Sequence, residues 1–193
     1  MIIPRHKVFL SFHHGDPLTD PYCGQKYKER FEYLFSSQYE AMITKSVQDG
    51  DIKDGITTET TRQKIRDEYI ADATVTIVLI GPETWKRKHV DWEISSSIRD
   101  TSKNSRCGLI GILLPNYPDY DRNANTFNQY TIPPRLWDNK VCGFANIYVW
   151  NENPTIVQGW IHDAFLRRNK ILPDNSYPLF NNNRSVEQTR WSY

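Results

Sequence analysis

The chain lacks an excess of charge of either sign and lacks any long apolar run. Its 24 Lys and Arg side chains nearly balance 23 Asp and Glu, which leaves a formal net charge of +1. This balance gives no overall basic field that would attract nucleic acid or an anionic membrane surface. No segment approaches the roughly 18 consecutive apolar residues of a membrane-spanning helix. We therefore expect a protein that binds neither nucleic acid nor a membrane.

Cysteine is scarce, and the glycine motifs that cradle phosphates are missing. Cys23, Cys107 and Cys142 are widely spaced and form no CxxC pair, which argues against a disulfide framework or a zinc site. Residues 1–7 lead directly into a predicted strand rather than into the apolar region of a signal peptide. We therefore expect a soluble, cytoplasmic protein with reduced thiols. The absence of GxGxxG and GxxxxGK[ST] disfavours an ordinary dinucleotide-binding fold or a P-loop.

What the chain does contain is an alternation of short apolar runs and helical patterns. The predicted strands are Lys7–Phe12, Ala41–Val47, Thr74–Ile80, Arg106–Leu114 and Gly143–Trp150. The predicted helices are Gln25–Tyr39, Thr58–Tyr69, Lys86–Arg99 and Pro154–Arg168, the last with Asn153 as its N-cap. A run such as Thr74–Ile80, which is β-branched and without polar alternation, is typical of a strand covered on both faces.

This alternation predicts an α/β fold, a flavodoxin-like three-layer sandwich with a five-stranded parallel sheet in the order 2-1-3-4-5. The domain is expected over residues 1–168, with residues 169–193 as a C-terminal extension. The polar segment Asn116–Lys140, rich in Pro and Asn, connects the fourth predicted strand to the fifth, and its role stays open.

The predicted strand order places a candidate site at one crevice of the sheet. Ligands of open α/β sheets bind at the switch point, here where the loops after the first and third strands meet. The residues that this places together are Ser11, Phe12, His13, His14 and Asp16 from one side, and Gly81, Trp85, Trp92 and Glu93 from the other. Aromatic rings among them can form walls for stacking on a base.

Glu93 is the carboxylate of most interest in this crevice. It lies on the predicted helix Lys86–Arg99, at the margin of the apolar stripe that Val90 and Ile94 belong to. Glu83, in the loop before the helix, is the competing acid and resembles a turn or capping residue. A structural role for Glu93 in an ion pair with Arg87 or Arg99 also stays open.

The other candidates have structural readings as well. The adjacent pair His13 and His14 is half of a metal site, but nothing in the spacing of carboxylates or cysteines completes it, so no metal is expected. Asp16 precedes a proline and is as well suited to bracing a turn as to contacting a ligand. Trp85 and Trp92 can equally be core aromatics.

The segments Val8–Phe12 and Val90–Glu93, with the strand that ends at Gly81, resemble those of TIR-like domains. More narrowly, residues 7–168 resemble the ThsB family of the Thoeris antiphage defence systems. Enzymatic TIR domains usually carry Trp, then Cys, then the catalytic Glu one turn later, whereas here Trp92 directly precedes Glu93.

The resemblance implies an NAD nucleosidase of the ADP-ribosyl cyclase type, with NAD as substrate and no cofactor. Glu93 would be the catalytic residue, and the cyclic ADP-ribose isomer released would activate a Thoeris effector subunit as a diffusible signal. Assembly into a homo-oligomer on activation is a further implication. The alternatives that remain are a non-catalytic TIR-like signalling or self-association module and a flavodoxin-like or receiver-like binding domain.

Overall fold

The computed structural model describes residues 4–15, 18, 20–38, 42–45, 60, 65–102, 104–118 and 127–192. In these parts of the chain, five parallel strands form one sheet in the order β2-β1-β3-β4-β5. Their bounds are β1 His6–Phe12, β2 Met42–Lys45, β3 Val75–Ile80, β4 Gly108–Leu113 and β5 Ala145–Val149. The flavodoxin-like order that the sequence predicts is confirmed, and its switch point lies between β1 and β3.

The helices of the described residues cover both faces of this sheet. Their bounds are α1 Gln25–Glu32, α2 Lys88–Ser97, α3 Pro134–Val141 and α4 Pro154–Arg167. Short 3-10 turns span Thr84–Lys86 and Gln129–Thr131, and π-helical turns span Tyr33–Gln38 and Ile65–Tyr69. The three-layer sandwich is therefore confirmed.

Alternating residues of β1 and β3 separate two cores. Leu10 and Ile77 pack on one face of the sheet, in a cluster with side chains of α1 and α4. Val78 and Ile80 pack on the other face, in a cluster with Val90 and Ile94 of α2 and with residues of α3. Since successive side chains of a strand point to opposite faces, Ser11 follows Phe9 toward the face that α2 covers.

Most predicted elements have the expected positions. The N-cap of the last helix is confirmed, because Asn153 accepts hydrogen bonds from the backbone N–H groups of Thr155 and Ile156. The helix predicted over Gln25–Tyr39 continues past α1 as a π-helical turn. Much of the predicted helix Thr58–Tyr69 lies outside the described residues, and its described end is the π-helical turn Ile65–Tyr69.

The segment Asn116–Lys140, to which the sequence assigned no helix, contains the start of α3 at Pro134. A proline without an N–H is tolerated in the first turn of a helix, where that N–H would have no helical partner. A connection between parallel strands also needs an element that crosses the sheet face, and α3 supplies it between β4 and β5.

Residues 169–192, named here the C-terminal segment, lie against α2 and α3. Asn175 accepts a hydrogen bond from Ser95 Oγ at 3.0 Å and donates one to the backbone carbonyl of Ser95 at 3.0 Å. Trp191 is only 1% exposed and donates its indole N–H to the carbonyl of Ile132 at 2.7 Å. The division between a domain over residues 1–168 and an extension stays a prediction.

Candidate active site

The centre of the candidate site is a hydrogen bond between β1 and α2. Ser11 Oγ donates to Glu93 Oε2 across 2.6 Å, and both side chains are buried, with exposed fractions of 0% and 1%. Ser11 lies opposite Val78 in the pairing of β1 with β3, close to the carboxyl ends of both strands. The candidate carboxylate is thus turned toward the sheet at the switch point rather than toward open solvent.

A second bond joins the same two elements one residue further along β1. His89 Nε2 lies 3.0 Å from the backbone carbonyl of Phe12. Because His89 is four residues before Glu93 on α2, the two side chains leave the same face of the helix. The neighbouring residues Ser11 and Phe12 therefore hold two side chains that are one helical turn apart.

Three histidines gather where β1 ends. The ring of His14 stacks on that of Phe12 with centroids 4.1 Å apart, and it meets His89 edge-on at 4.9 Å. Burial, and then the positive potential of His14, lower the pKa of His89 to about 3. His89 is therefore a neutral group in this site at every ordinary pH, and a neutral imidazole can accept at one nitrogen while donating at the other.

His13 belongs to an electrostatic group on the same side of the sheet. Its Nε2 lies 2.7 Å from Asp20 Oδ2. Burial, followed by the Arg87 guanidinium, lowers the pKa of His13, although Asp20 works in the opposite direction. Burial opposes the charged form of Asp20, but the backbone N–H of Tyr22 and the bond with His13 outweigh it and lower its pKa.

Glu83, the competing acid, lies in a different environment. Its carboxylate is bound by Lys86 Nζ at 2.9 Å and, more weakly, by Arg87 Nη2 at 3.7 Å. These ion pairs stabilise the turn before α2, as the interpretation of Glu83 as a turn residue predicts. Arg87 is thus seen to pair with Glu83, whereas the sequence had left it open as a partner of Glu93.

The two tryptophans are packed into the protein. Trp92 is 8% exposed, donates its indole N–H to the carbonyl of Phe180 at 2.9 Å, and packs in a cluster with Phe9. Trp85 is 2% exposed, and the Arg184 guanidinium lies 5.8 Å from its ring centre. Both rings are therefore covered by the C-terminal segment in this structure, and a role in stacking on a base stays a prediction.

Gly81 closes the turn that leads from β3 toward α2. Its N–H donates to Thr84 Oγ1 at 2.9 Å, and the same hydroxyl donates to the carbonyl of Leu79 at 3.3 Å. Gly81 thus shapes the edge of the crevice. Asp16 lies outside the described residues, so its predicted place in the site stays a prediction.

His89 and Asp20 were not predicted as site residues from the sequence, and Arg87 was named only as an ion-pair partner for Glu93. The spacing of four between His89 and Glu93 was a usable signal, since it places both on one helix face. His13 and Asp20 are loop residues, and no periodic pattern in the sequence predicts that they form a hydrogen bond. A small open cavity beside this bond is lined by Asp20, Pro21, Cys23 and Lys26.

The described residues contain neither a metal-binding cluster nor a membrane-spanning helix. No group of three or more His, Cys, Asp or Glu side chains there has an arrangement that can hold a metal ion. Within the same ranges, no helix combines the length and the apolar character needed to cross a membrane.

Comparison with known proteins gives one family match. Residues 9–119, more than half of the 193 residues, match the family model described as Thoeris protein ThsB, TIR-like domain. This range begins in β1 and includes β3, α2 and β4, and therefore both halves of the Ser11–Glu93 bond. No curated protein matches the chain.

Proposed function

This chain belongs to the ThsB family of TIR-like domains and is a Thoeris-type defence protein, and from that premise we propose that it cleaves NAD at the nicotinamide–ribose bond. The proposed product is a cyclic ADP-ribose isomer. This product would diffuse to a Thoeris effector subunit and activate it. NAD is the substrate in this scheme, and no separate cofactor takes part.

The observation that carries the proposal is the position of Glu93. Its carboxylate is anchored by Ser11 at the carboxyl edge of the sheet, where open α/β folds bind ligands. Departure of nicotinamide leaves a ribose with the character of an oxocarbenium ion. A carboxylate fixed next to that carbon stabilises the developing positive charge, as carboxylates do in glycoside hydrolysis.

A single carboxylate suffices for this chemistry. Nicotinamide is already cationic when bound to ribose, so it leaves as a neutral molecule and needs no strong general acid. Ring closure in place of hydrolysis requires that water be excluded while a second part of the ADP-ribose reaches the anomeric carbon. The ring of His14, which stacks on the buried ring of Phe12 at the end of β1, is placed to form part of the wall of such a pocket.

The resting structure also sets a condition for activity. Only 1% of Glu93 is exposed, so the crevice must open before a ribose can reach the carboxylate. A chain purified without its activating signal is therefore expected to be nearly silent. For this reason the proposal is best tested in infected cells.

The test compares nucleotide extracts from phage-infected cells that express wild type or Glu93→Gln. Wild-type extracts should contain a cyclic ADP-ribose isomer, depleted NAD and an activity that switches on the effector subunit. Glu93→Gln should lose all three, because an amide keeps the size of the side chain but carries no negative charge. Loss of about 100-fold or more is expected for a group that stabilises charge in the transition state.

Glu83→Gln is the matched control, since Glu83 is another acidic residue of the same segment but is held in ion pairs with Lys86 and Arg87. It should keep most of the product. If Glu93→Gln protein accumulates normally and yields as much product as wild type, Glu93 is not the catalytic residue. If wild type yields no nucleotide product but still protects cells, the non-catalytic signalling module is the better explanation.

A further inference from the structure

We infer that Ser11 is a positioning residue that orients the carboxylate of Glu93 and does not itself contact NAD. This inference rests on the proposed function and refines it. The sequence placed Ser11 among the residues that bind the substrate. Its environment in the folded chain indicates a different task.

The first argument is that the hydroxyl of Ser11 is already engaged. A serine has one proton to donate, and Ser11 directs it to Glu93 Oε2 across 2.6 Å. A hydroxyl donates a stronger hydrogen bond to an ionised carboxylate than to a neutral group. When the crevice opens, a ligand can accept from this hydroxyl only by replacing Glu93 as the acceptor of its single proton.

The second argument is the rigidity of the support. Ser11 lies in β1 and pairs with Val78 of β3, and this pairing fixes the backbone from which its hydroxyl projects. Glu93 has three rotatable side-chain bonds, and without a fixed donor its carboxylate can rotate away from the ribose. The hydrogen bond between the Phe12 carbonyl and His89 also joins α2 to β1, one residue away from Ser11. Together the two bonds fix both the helix and the carboxylate.

The experiment uses the full chain in lysates of infected cells, with product formation followed at increasing NAD concentration. Ser11→Ala removes the donor with little change in volume. Thr76→Val is the matched control. Thr76 is a fully buried hydroxyl of β3 on the same face of the sheet, and its Oγ1 has no hydrogen-bond partner among the described residues.

Ser11→Ala should lower kcat by about 10- to 100-fold, the effect expected for a bond to a charged group, while KM changes by less than about threefold. The acidic limb of its kcat/KM profile should move to higher pH, because the ionised carboxylate loses a donor that favours it. Thr76→Val should match wild type in both respects. Other titratable groups near this edge are identical in all three proteins, and they include His13, His14, Asp20, Glu83, Lys86, Arg87 and His89.

A readout without catalysis separates this inference from the proposed function. In protein with ¹³C-labelled glutamate carboxyls, the Glu93 resonance is identified by its absence from Glu93→Gln. Its titration midpoint should be higher in Ser11→Ala than in wild type, and unchanged in Thr76→Val.

Each outcome has one meaning. If Ser11→Ala has a higher KM than wild type but the same kcat, Ser11 contacts the substrate and the inference is overturned. An unchanged pH limb and an unchanged resonance overturn it as well. If Glu93→Gln retains full product but the resonance still moves in Ser11→Ala, the contact is real and the proposed function is what fails.

Discussion

His89 on α2 donates its Nε2 proton to the backbone carbonyl of Phe12 on β1 across 3.0 Å. A carbonyl oxygen can only accept, so the neutral ring carries its proton on Nε2 in this contact. The enclosed ring, with a pKa of about 3, resists protonation in the folded state. The same ring in an unfolded chain binds a proton near pH 6.5.

This difference predicts that the protein loses stability in mild acid. The folded pKa lies below the unfolded one, so the stabilisation is complete above the unfolded value and is lost as the pH falls toward the folded value. The contribution of His89 to the free energy of unfolding should fall by about 1–2 kcal/mol between pH 7 and pH 5. Urea unfolding of wild type and His89→Gln at these two pH values measures it.

Glutamine is the chosen replacement because its amide can still donate to the Phe12 carbonyl but does not titrate. His89→Gln should therefore be less sensitive to pH than wild type. The variant keeps His6 and His13, whose pKa values are also lowered by burial, so part of the pH dependence should remain. Equal losses of stability in the two proteins would contradict the assignment to His89.

A buried ion pair between α2 and α3 predicts a large effect of a single substitution. Arg135 Nε lies 2.9 Å from Asp91 Oδ1, and the two side chains are 1% and 3% exposed. Arg135 also donates to the carbonyl of Tyr177 at 2.6 Å. Arg135→Met should lower the free energy of unfolding by about 3–5 kcal/mol, because it leaves Asp91 as a buried charge without its partner.

The control is the exposed pair Arg30–Glu152, in which two nitrogens of Arg30 bind two oxygens of Glu152. These side chains are 48% and 46% exposed, so solvent screens their attraction. Arg30→Met should cost no more than about 1 kcal/mol in the same urea experiment. If both variants lose similar small amounts, burial does not determine the strength of the Asp91–Arg135 pair.

Two glycines predict opposite responses to the same substitution. At Gly108, the first residue of β4, an added Cβ would overlap the backbone carbonyl of Ala164 on α4. Gly108→Ala should therefore push the helix from the sheet and cost about 1–3 kcal/mol. At Gly159, on α4 itself, a Cβ would have no side chain or neighbouring element within 4 Å. Gly159→Ala should stabilise the protein by about 0.5–1 kcal/mol.

Thermal unfolding of both variants tests the pair of predictions. A Tm of Gly108→Ala at or above that of wild type would show that the helix accommodates the methyl group.

The strands and α2 could be predicted because their signals are local. Val75–Ile80 is apolar at almost every position since both of its faces are covered, and the spacing of Val90 and Ile94 marks the inner side of α2. The meeting of Ser11 with Glu93 also followed from the parallel order, because the carboxyl ends of β1 and β3 share one edge. The strand order alone was therefore enough to predict that the segments after β1 and β3 meet at one crevice.

The unexpected features depend on contacts between segments far apart in the sequence. α3 is short and begins at Pro134, so its helical period is brief and its proline resembles a loop signal. Glu93 was expected at the margin of a buried face, yet it is almost wholly enclosed. The sheet covers α2 on one side, and α3 and the C-terminal segment cover it on others. The sequence of residues 169–192 has no hydrophobic periodicity from which this packing could be predicted.

The C-terminal segment therefore supplies the last prediction. Asn175 joins three elements, because its amide exchanges two hydrogen bonds with Ser95 of α2 and its Oδ1 accepts from Arg135 of α3 at 2.8 Å. Asn175→Ala should remove hydrogen bonds from Ser95 and Arg135 and lower the free energy of unfolding by about 1–3 kcal/mol. Limited proteolysis should then cut the segment faster, and Asn182→Ala, at an exposed position of the same segment, should behave as wild type.

Since α2 also carries Glu93, product formation in infected cells should fall with Asn175→Ala and not with Asn182→Ala. Faster cleavage with full product would mean that α2 keeps its position without the C-terminal segment.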